Sequence, residues 1–201
     1  MKRGDAPMRL HRRQIIAACA AFCTCGALTA EAQALALGPP RNLEEMARRV
    51  ETEFPNIAHL RIDDLVDQQR GSVRLWLFDV RESAEFAVSH LSGAERIAPD
   101  ISASAALDQI GARADGGVVV FYCSVGQRSS RLAARTGRGL EARGARAVYN
   151  LRGGIFAWHN DARPLVDSFG PTPFVHPYSA AWRRLLTHPQ LSAFYARTAG
   201  H

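Results

Sequence analysis

A chain of 201 residues, 47% hydrophobic and 22% charged, is long enough for one folded domain with extensions and too apolar for a disordered polymer. Its formal charge of +6 is half accounted for by residues 1–34, where Lys2, Arg3, Arg9, Arg12 and Arg13 face only Asp5 and Glu31. The other arginines are scattered, which argues against a nucleic-acid partner.

Residues 1–34 have the layout of an export signal: a basic start to Arg13, an apolar run from Ile15 to Leu28, and small residues in Ala30-Glu31-Ala32-Gln33-Ala34. The mature chain then begins near Leu35, and the expected location is the bacterial periplasm. Arg12-Arg13-Gln14-Ile15-Ile16 resembles a twin-arginine signal, with the general secretory route as the alternative. Ile16-Ala17-Ala18-Cys19 resembles a lipoprotein box, but few apolar residues separate it from Arg13. The apolar run is shorter than the roughly 18–20 residues that span a bilayer, so no permanent membrane span is expected.

Three of the four cysteines, Cys19, Cys23 and Cys25, lie in this leader, which leaves Cys123 alone in the mature chain. A single thiol forms no internal disulfide and supplies no zinc cluster, and the histidines show no paired ligand spacing. No metal and no cofactor are expected.

After the break at Gly38-Pro39-Pro40, Asn42 caps a predicted helix with Leu43, Met46, Val50 and Phe54 on one face, completing a helical extension over 35–56. A domain over 57–167 follows. Its predicted elements are a strand at 58–62, a helix at 63–69 capped by Asp63, a strand at 74–80, a helix to about Val88, a strand around Ile97 and a helix at 104–113. Val118-Val119-Val120-Phe121-Tyr122 lacks alternation and suits a central strand buried on both faces. Beyond it, Leu132, Thr136 and Leu140 mark a helix that Gly144 terminates, with Arg131, Arg135 and Arg138 outward. A strand at 147–151 and a helix at 155–160 complete the set. Alternating strands and helices predict an α/β fold of three layers, a mostly parallel sheet with helices on both faces. Residues 168–201, rich in proline and aromatics, read as a tail packed on the domain, with no fold of its own.

Cys123 stands at the carboxyl end of the buried strand, where parallel sheets bind ligands. In Cys123-Ser124-Val125-Gly126-Gln127-Arg128-Ser129, successive amides can curl around the sulfur at a helix start, which favours a thiolate. Gly126 allows the tight path, and Arg128 adds charge or braces the loop. Cys123 and Arg128 are the candidate catalytic residues; Ser124, Val125, Gly126, Gln127 and Ser129 are candidate substrate-binding residues.

At these positions the chain resembles the rhodanese family of sulfurtransferases, whose loop has a cysteine, four residues, an arginine and Ser or Thr. The likeness extends to Phe78-Asp79-Val80-Arg81-Glu82 with Glu85-Phe86, to Ser89-His90-Leu91-Ser92-Gly93-Ala94, and to Tyr149 through Trp158. Ser89 and Ser92 depart from the family's frequent Gly and Pro; Ser124 and Val125 depart within the loop and line its rim. The resemblance implies a rhodanese-like fold and attack of Cys123 on a sulfane donor such as thiosulfate. Sulfite leaves, and the Cys123 persulfide passes its sulfur to a thiol or cyanide acceptor. A cysteine phosphatase or arsenate reductase is the rival, although such loops insert one more residue between Cys and Arg. A non-catalytic module that senses sulfur or binds a partner is the other alternative. Asp79 and Arg81 are expected to tie the strand end to neighbouring loops, His90 and His159 to brace loops, and Phe156 and Trp158 to sit in the core.

Overall fold

The computed structural model describes residues 38–198, so the expected leader and the first residues of the 35–56 extension lie outside it. Helix α1 spans Leu43–Glu53. It starts where expected because Asn42 Oδ1 accepts the Glu45 amide at 2.8 Å, satisfying one of the first-turn donors. Met46, Ala47 and Val50 form its buried face.

Strand β1 (Ala58–Leu60) leads to α2 (Ile62–Arg70). Here one expectation is corrected: the N-cap is Arg61, which makes no side-chain cap bond, and Asp63 lies inside the first turn with Asp64. Negative charge is still favoured there by the helix dipole, so the acidic signal was real but sat two residues later than the cap. Strand β2 (Leu75–Asp79) precedes α3 (Ser83–Val88), which opens with reciprocal bonds between the side chains and amides of Glu82 and Glu85. Strand β3 is Glu95–Arg96, just before the expected Ile97. Helix α4 (Ala103–Ile110) is capped by Ser102 and runs into a 3-10 turn at Gly111–Arg113.

Strand β4 (Val118–Tyr122), α5 (Gln127–Glu141), β5 (Ala147–Leu151) and α6 (Gly154–Asn160) then follow. The five strands form one parallel sheet in the order β1-β5-β4-β2-β3. All five residues of β4 are buried, because the sheet is covered on both faces. Val118, Val120 and Tyr122 join a core with Val50, Leu65, Ile155 and Phe156, so α1, α2 and α6 lie on that side. Val119 and Phe121 point the other way, into a core with Ile110, Leu132 and Leu140 from α4 and α5. Arg131, Arg135 and Arg138 are exposed, as the helical spacing required.

The last segment has more structure than a bare tail. Strands β6 (Leu165–Asp167) and β7 (Gly170–Thr172) form an antiparallel hairpin, followed by 3-10 turns at Trp182–Leu185 and Pro189–Leu191. The hairpin evades a sequence reading because Gly170 and Pro171 count against a strand; a proline is tolerated only in so short an edge pairing. Val175, Leu185 and Leu186 are buried in the α1 and α6 core.

Replacing the cap, Asn42→Ala, is expected to lower unfolding free energy by about 1 kcal/mol. The urea midpoint should fall with an unchanged slope; a midpoint equal to that of the parent would mean α1 does not depend on this cap.

Candidate active site

A parallel sheet brings its strand ends to one edge, and β4 and β2 deliver Tyr122 and Asp79 there as a paired register position. Cys123 follows immediately and is buried. The loop's shape is set from behind: the Cys123 carbonyl accepts the Ile155 amide at 2.9 Å, and the Ser124 carbonyl accepts the Phe156 amide at 3.0 Å. This close approach is why Gly154 is glycine. It has φ +59, and a Cβ there would run into the carbonyl oxygens of Cys123 and Ser124.

The chain then turns through Gly126 at φ +99 and enters α5. The amide that reaches the sulfur is that of Gly126, donating to Cys123 Sγ at 3.2 Å. The expected curl of amides is thus represented by this one hydrogen bond, made by the residue whose conformation the turn demands. A side chain at Gly126 would also crowd Asn150 Nδ2 at 3.0 Å.

Arg128 is a brace. Its Nη1 and Nη2 donate to Glu85 Oε2 and Oε1 at 2.7 and 2.8 Å, a two-pronged carboxylate pair, and Nη2 also donates to Ser124 Oγ at 3.0 Å. Ser124 Oγ donates in turn to Glu85 Oε1 at 3.0 Å, closing a triangle. Burial opposes charge on Glu85, but the Arg128 guanidinium, helped by the Glu82 amide and Arg81, holds its carboxyl below the usual range. Burial likewise opposes charge on Arg128, while Glu85 and the Cys123 sulfur raise its affinity for the proton. The guanidinium is therefore a fixed positive charge within electrostatic reach of the sulfur.

The remaining loop residues divide by direction. Ser129 Oγ donates to Asn150 Oδ1 at 2.6 Å, and Gln127 Nε2 donates to Glu53 at 3.1 Å. Val125 is corrected: its side chain does not line a rim but is buried in the core with Ile155 and Phe156. Ser124 is also turned inward, to Glu85 and Arg128. Asp79 and Arg81 form a wholly buried ion pair at 2.6 Å, and Arg81 Nη2 reaches the Ser89 carbonyl at 2.6 Å, which ties β2 to the following loop as expected. His90 bonds the Phe86 carbonyl and stacks on its ring, His159 bonds the Pro173 carbonyl, and Phe156 and Trp158 are core residues.

Glu85 is a site residue whose role the sequence does not reveal, because its partner Arg128 lies 43 positions away. Asn150 is another; its amide joins Ser129 and His59 across the sheet. A surface depression of about 400 Å³ between α1 and α6, bordered by Glu44, Arg61 and Arg152, lies apart from Cys123.

Two substitutions probe this frame. Glu85→Gln is expected to cost about 2 kcal/mol at pH 7, since it leaves a partly buried guanidinium half-paired. Because the folded protein holds the Glu85 carboxyl below its unfolded value, the pairing stabilises fully above the unfolded carboxylate range and is lost as pH falls through the folded one. The gap between parent and variant should therefore begin to narrow only as pH falls below the unfolded carboxylate value of about 4.3; a gap that stays constant to acid pH would show that the charge is not what Glu85 supplies. Gly154→Ala should destabilise by about 2 kcal/mol or more and reduce whatever reactivity Cys123 has, read by urea titration and thiol labelling.

Comparison with known proteins places these observations. Residues 62–161 match the family model described as a rhodanese-like domain. A rhodanese-like domain protein from Staphylococcus aureus shares 24% identity over 51% of this chain and 91% of its own, with a TM-score of 0.41. A thiosulfate sulfurtransferase from Pseudomonas aeruginosa shares 16% over 70% of this chain and 25% of its own, at 0.48. A Rhodopseudomonas palustris protein of unknown function, named as a possible tyrosine phosphatase, shares 19% over 63% and 96%, at 0.42. No curated protein matches the chain.

Proposed function

Through residues 62–161 the chain belongs to the rhodanese-like domain family, and from that premise we propose that it is a sulfurtransferase that carries a sulfane sulfur on Cys123. The observation that carries this reading is the Gly126 amide directed at Cys123 Sγ, 3.2 Å away, beside the fixed charge of Arg128. The amide donor and the neighbouring cation both face the sulfur, whose thiolate is the nucleophilic form.

In the first half-reaction the Cys123 thiolate attacks the outer sulfur of thiosulfate. The sulfur–sulfur bond of the donor breaks, its electron pair leaves with sulfite, and Cys123 becomes a persulfide anion. In the second, an acceptor thiolate or cyanide attacks the outer sulfur of the persulfide, and the electron pair of the breaking bond returns to Cys123.

Arg128 acts here as a positioning and electrostatic residue. Both of its Nη atoms are committed to Glu85 and one also to Ser124, so it holds the loop rather than gripping a departing group with its whole fork. Ser124, Gly126 and Ser129 contribute the loop's frame, and Gln127 fastens it to α1 through Glu53. The leader, read as an export signal, supports action outside the cytoplasm. Among the described residues no helix is long and apolar enough to cross a membrane.

Treatment of the full chain with thiosulfate, followed by intact-protein and peptide mass spectrometry, tests the proposal. The parent should gain one sulfur atom at Cys123 with release of an equal amount of sulfite, and Cys123→Ser should gain none. A parent that stays unmodified but hydrolyses an aryl phosphate would establish the phosphatase reading instead; one that does neither and still retains a partner protein would establish the binding module.

A further inference from the structure

The family match ends at Asp161, yet the chain beyond it returns to the reactive loop. This extension is firmly seated. Asn160 Nδ2 donates to the Leu185 carbonyl at 2.9 Å, and its Oδ1 accepts the Thr187 amide at 2.8 Å. Arg197 grips Asp167 with two bonds of 2.6 and 2.7 Å.

From this support Tyr178 is laid over Arg128, with the guanidinium carbon 5.1 Å from the ring centroid. Three features separate this contact from ordinary packing. Tyr178 has φ +62, a conformation that a tyrosine keeps only where its surroundings over-determine it, and such positions gather at functional sites. The turn is closed by His176 Nδ1, which accepts the Tyr178 amide at 3.0 Å. Despite that constraint the residue is 46% exposed, and the Trp182 ring, 4.8 Å away, continues its surface.

Cys123 is only 1% exposed, so an acceptor must reach it with a slender reactive end. Arg128, the cation beside the sulfur, is already bound on its Nη edge by Glu85 and Ser124 and covered by the tyrosine ring. What this side of the site offers an incoming molecule is an aromatic ledge. Resting on the sulfurtransferase reading above, we propose that Tyr178 is a specificity-determining residue for the second half-reaction: its ring, continued by Trp182, seats the carbon body of an organic thiol while the thiolate attacks the outer sulfur of the Cys123 persulfide. The bond between Cys123 Sγ and the outer sulfur breaks, its electron pair returns to Cys123 as thiolate, and the acceptor leaves as a persulfide anion. Cyanide has no carbon body to place on the ledge and draws nothing from it.

The test uses the full chain loaded with thiosulfate, with loading followed by mass and by sulfite release, and then measures transfer to glutathione and to cyanide separately. Tyr178→Gly removes the ring at a backbone angle that glycine adopts freely; Tyr178→Asn does so with a residue that also tolerates that angle. In both, transfer to glutathione should slow about fivefold or more through a raised KM, while transfer to cyanide stays within about twofold of the parent. Tyr178→Phe, which keeps the ring, should behave as the parent. If loading is normal but the ring-less variants slow both acceptors alike, or neither, Tyr178 is a packing residue and the proposal fails while the sulfurtransferase reading stands. If the parent itself takes up no sulfur, that reading fails and the acceptor ledge falls with it.

Discussion

The loop around Cys123 depends on being held from behind. Two consecutive carbonyls, those of Cys123 and Ser124, are bound by the amides that open α6, and this is possible only because Gly154 lets the backbones approach. Buried peptide groups must find partners, so once α6 has taken these carbonyls the loop cannot easily collapse toward the sheet. The chain is turned at Gly126, its amide meets the sulfur, and α5 begins. The rest of the site is arranged on that fixed curve.

Charge is the second layer. Asp79 with Arg81 and Glu85 with Arg128 are two carboxylate–guanidinium pairs at the carboxyl edge of the sheet, the first wholly enclosed and the second nearly so. An enclosed ion pair adds little net stability over an apolar pair, but it is costly to break, which makes its geometry rigid. That rigidity is passed to Arg128 by its pair with Glu85. Glu85 supplies it twice, since the same carboxylate also closes the capping bonds that start α3. Helix α3 and the reactive loop are thereby joined through one side chain.

The extension beyond the family domain is the third layer, and it is an addition to the scaffold rather than a part of it. Its hairpin is bonded to the loop before β3, where His90 and Val166 exchange both amide–carbonyl bonds, and its apolar residues fill the core beneath α6. The same anchoring carries His176 and Tyr178 to the Glu85–Arg128 pair. The loop is thus given an aromatic neighbour from outside the family domain.

Much of the fold was legible in one dimension. Unbroken apolar runs such as Val118–Tyr122, helical spacing at Leu132, Thr136 and Leu140, and turn glycines act over a few residues, so they mark elements wherever those elements end up. The parallel sheet followed from their alternation, and Cys123, Gly126 and Arg128 were recognisable because loop and helix start are contiguous. Side-chain direction and distant pairing were not encoded locally: Val125 and Ser124 turn inward, Asp63 is not a cap, and Gly170-Pro171 form a strand. The strand order and packing alone bring Glu85 across 43 positions to Arg128 and fold Tyr178 back over it. Local sequence determined which residues could do chemistry; the three-dimensional arrangement decided which charges and rings surround them, because electrostatic and packing forces act through space and not along the chain.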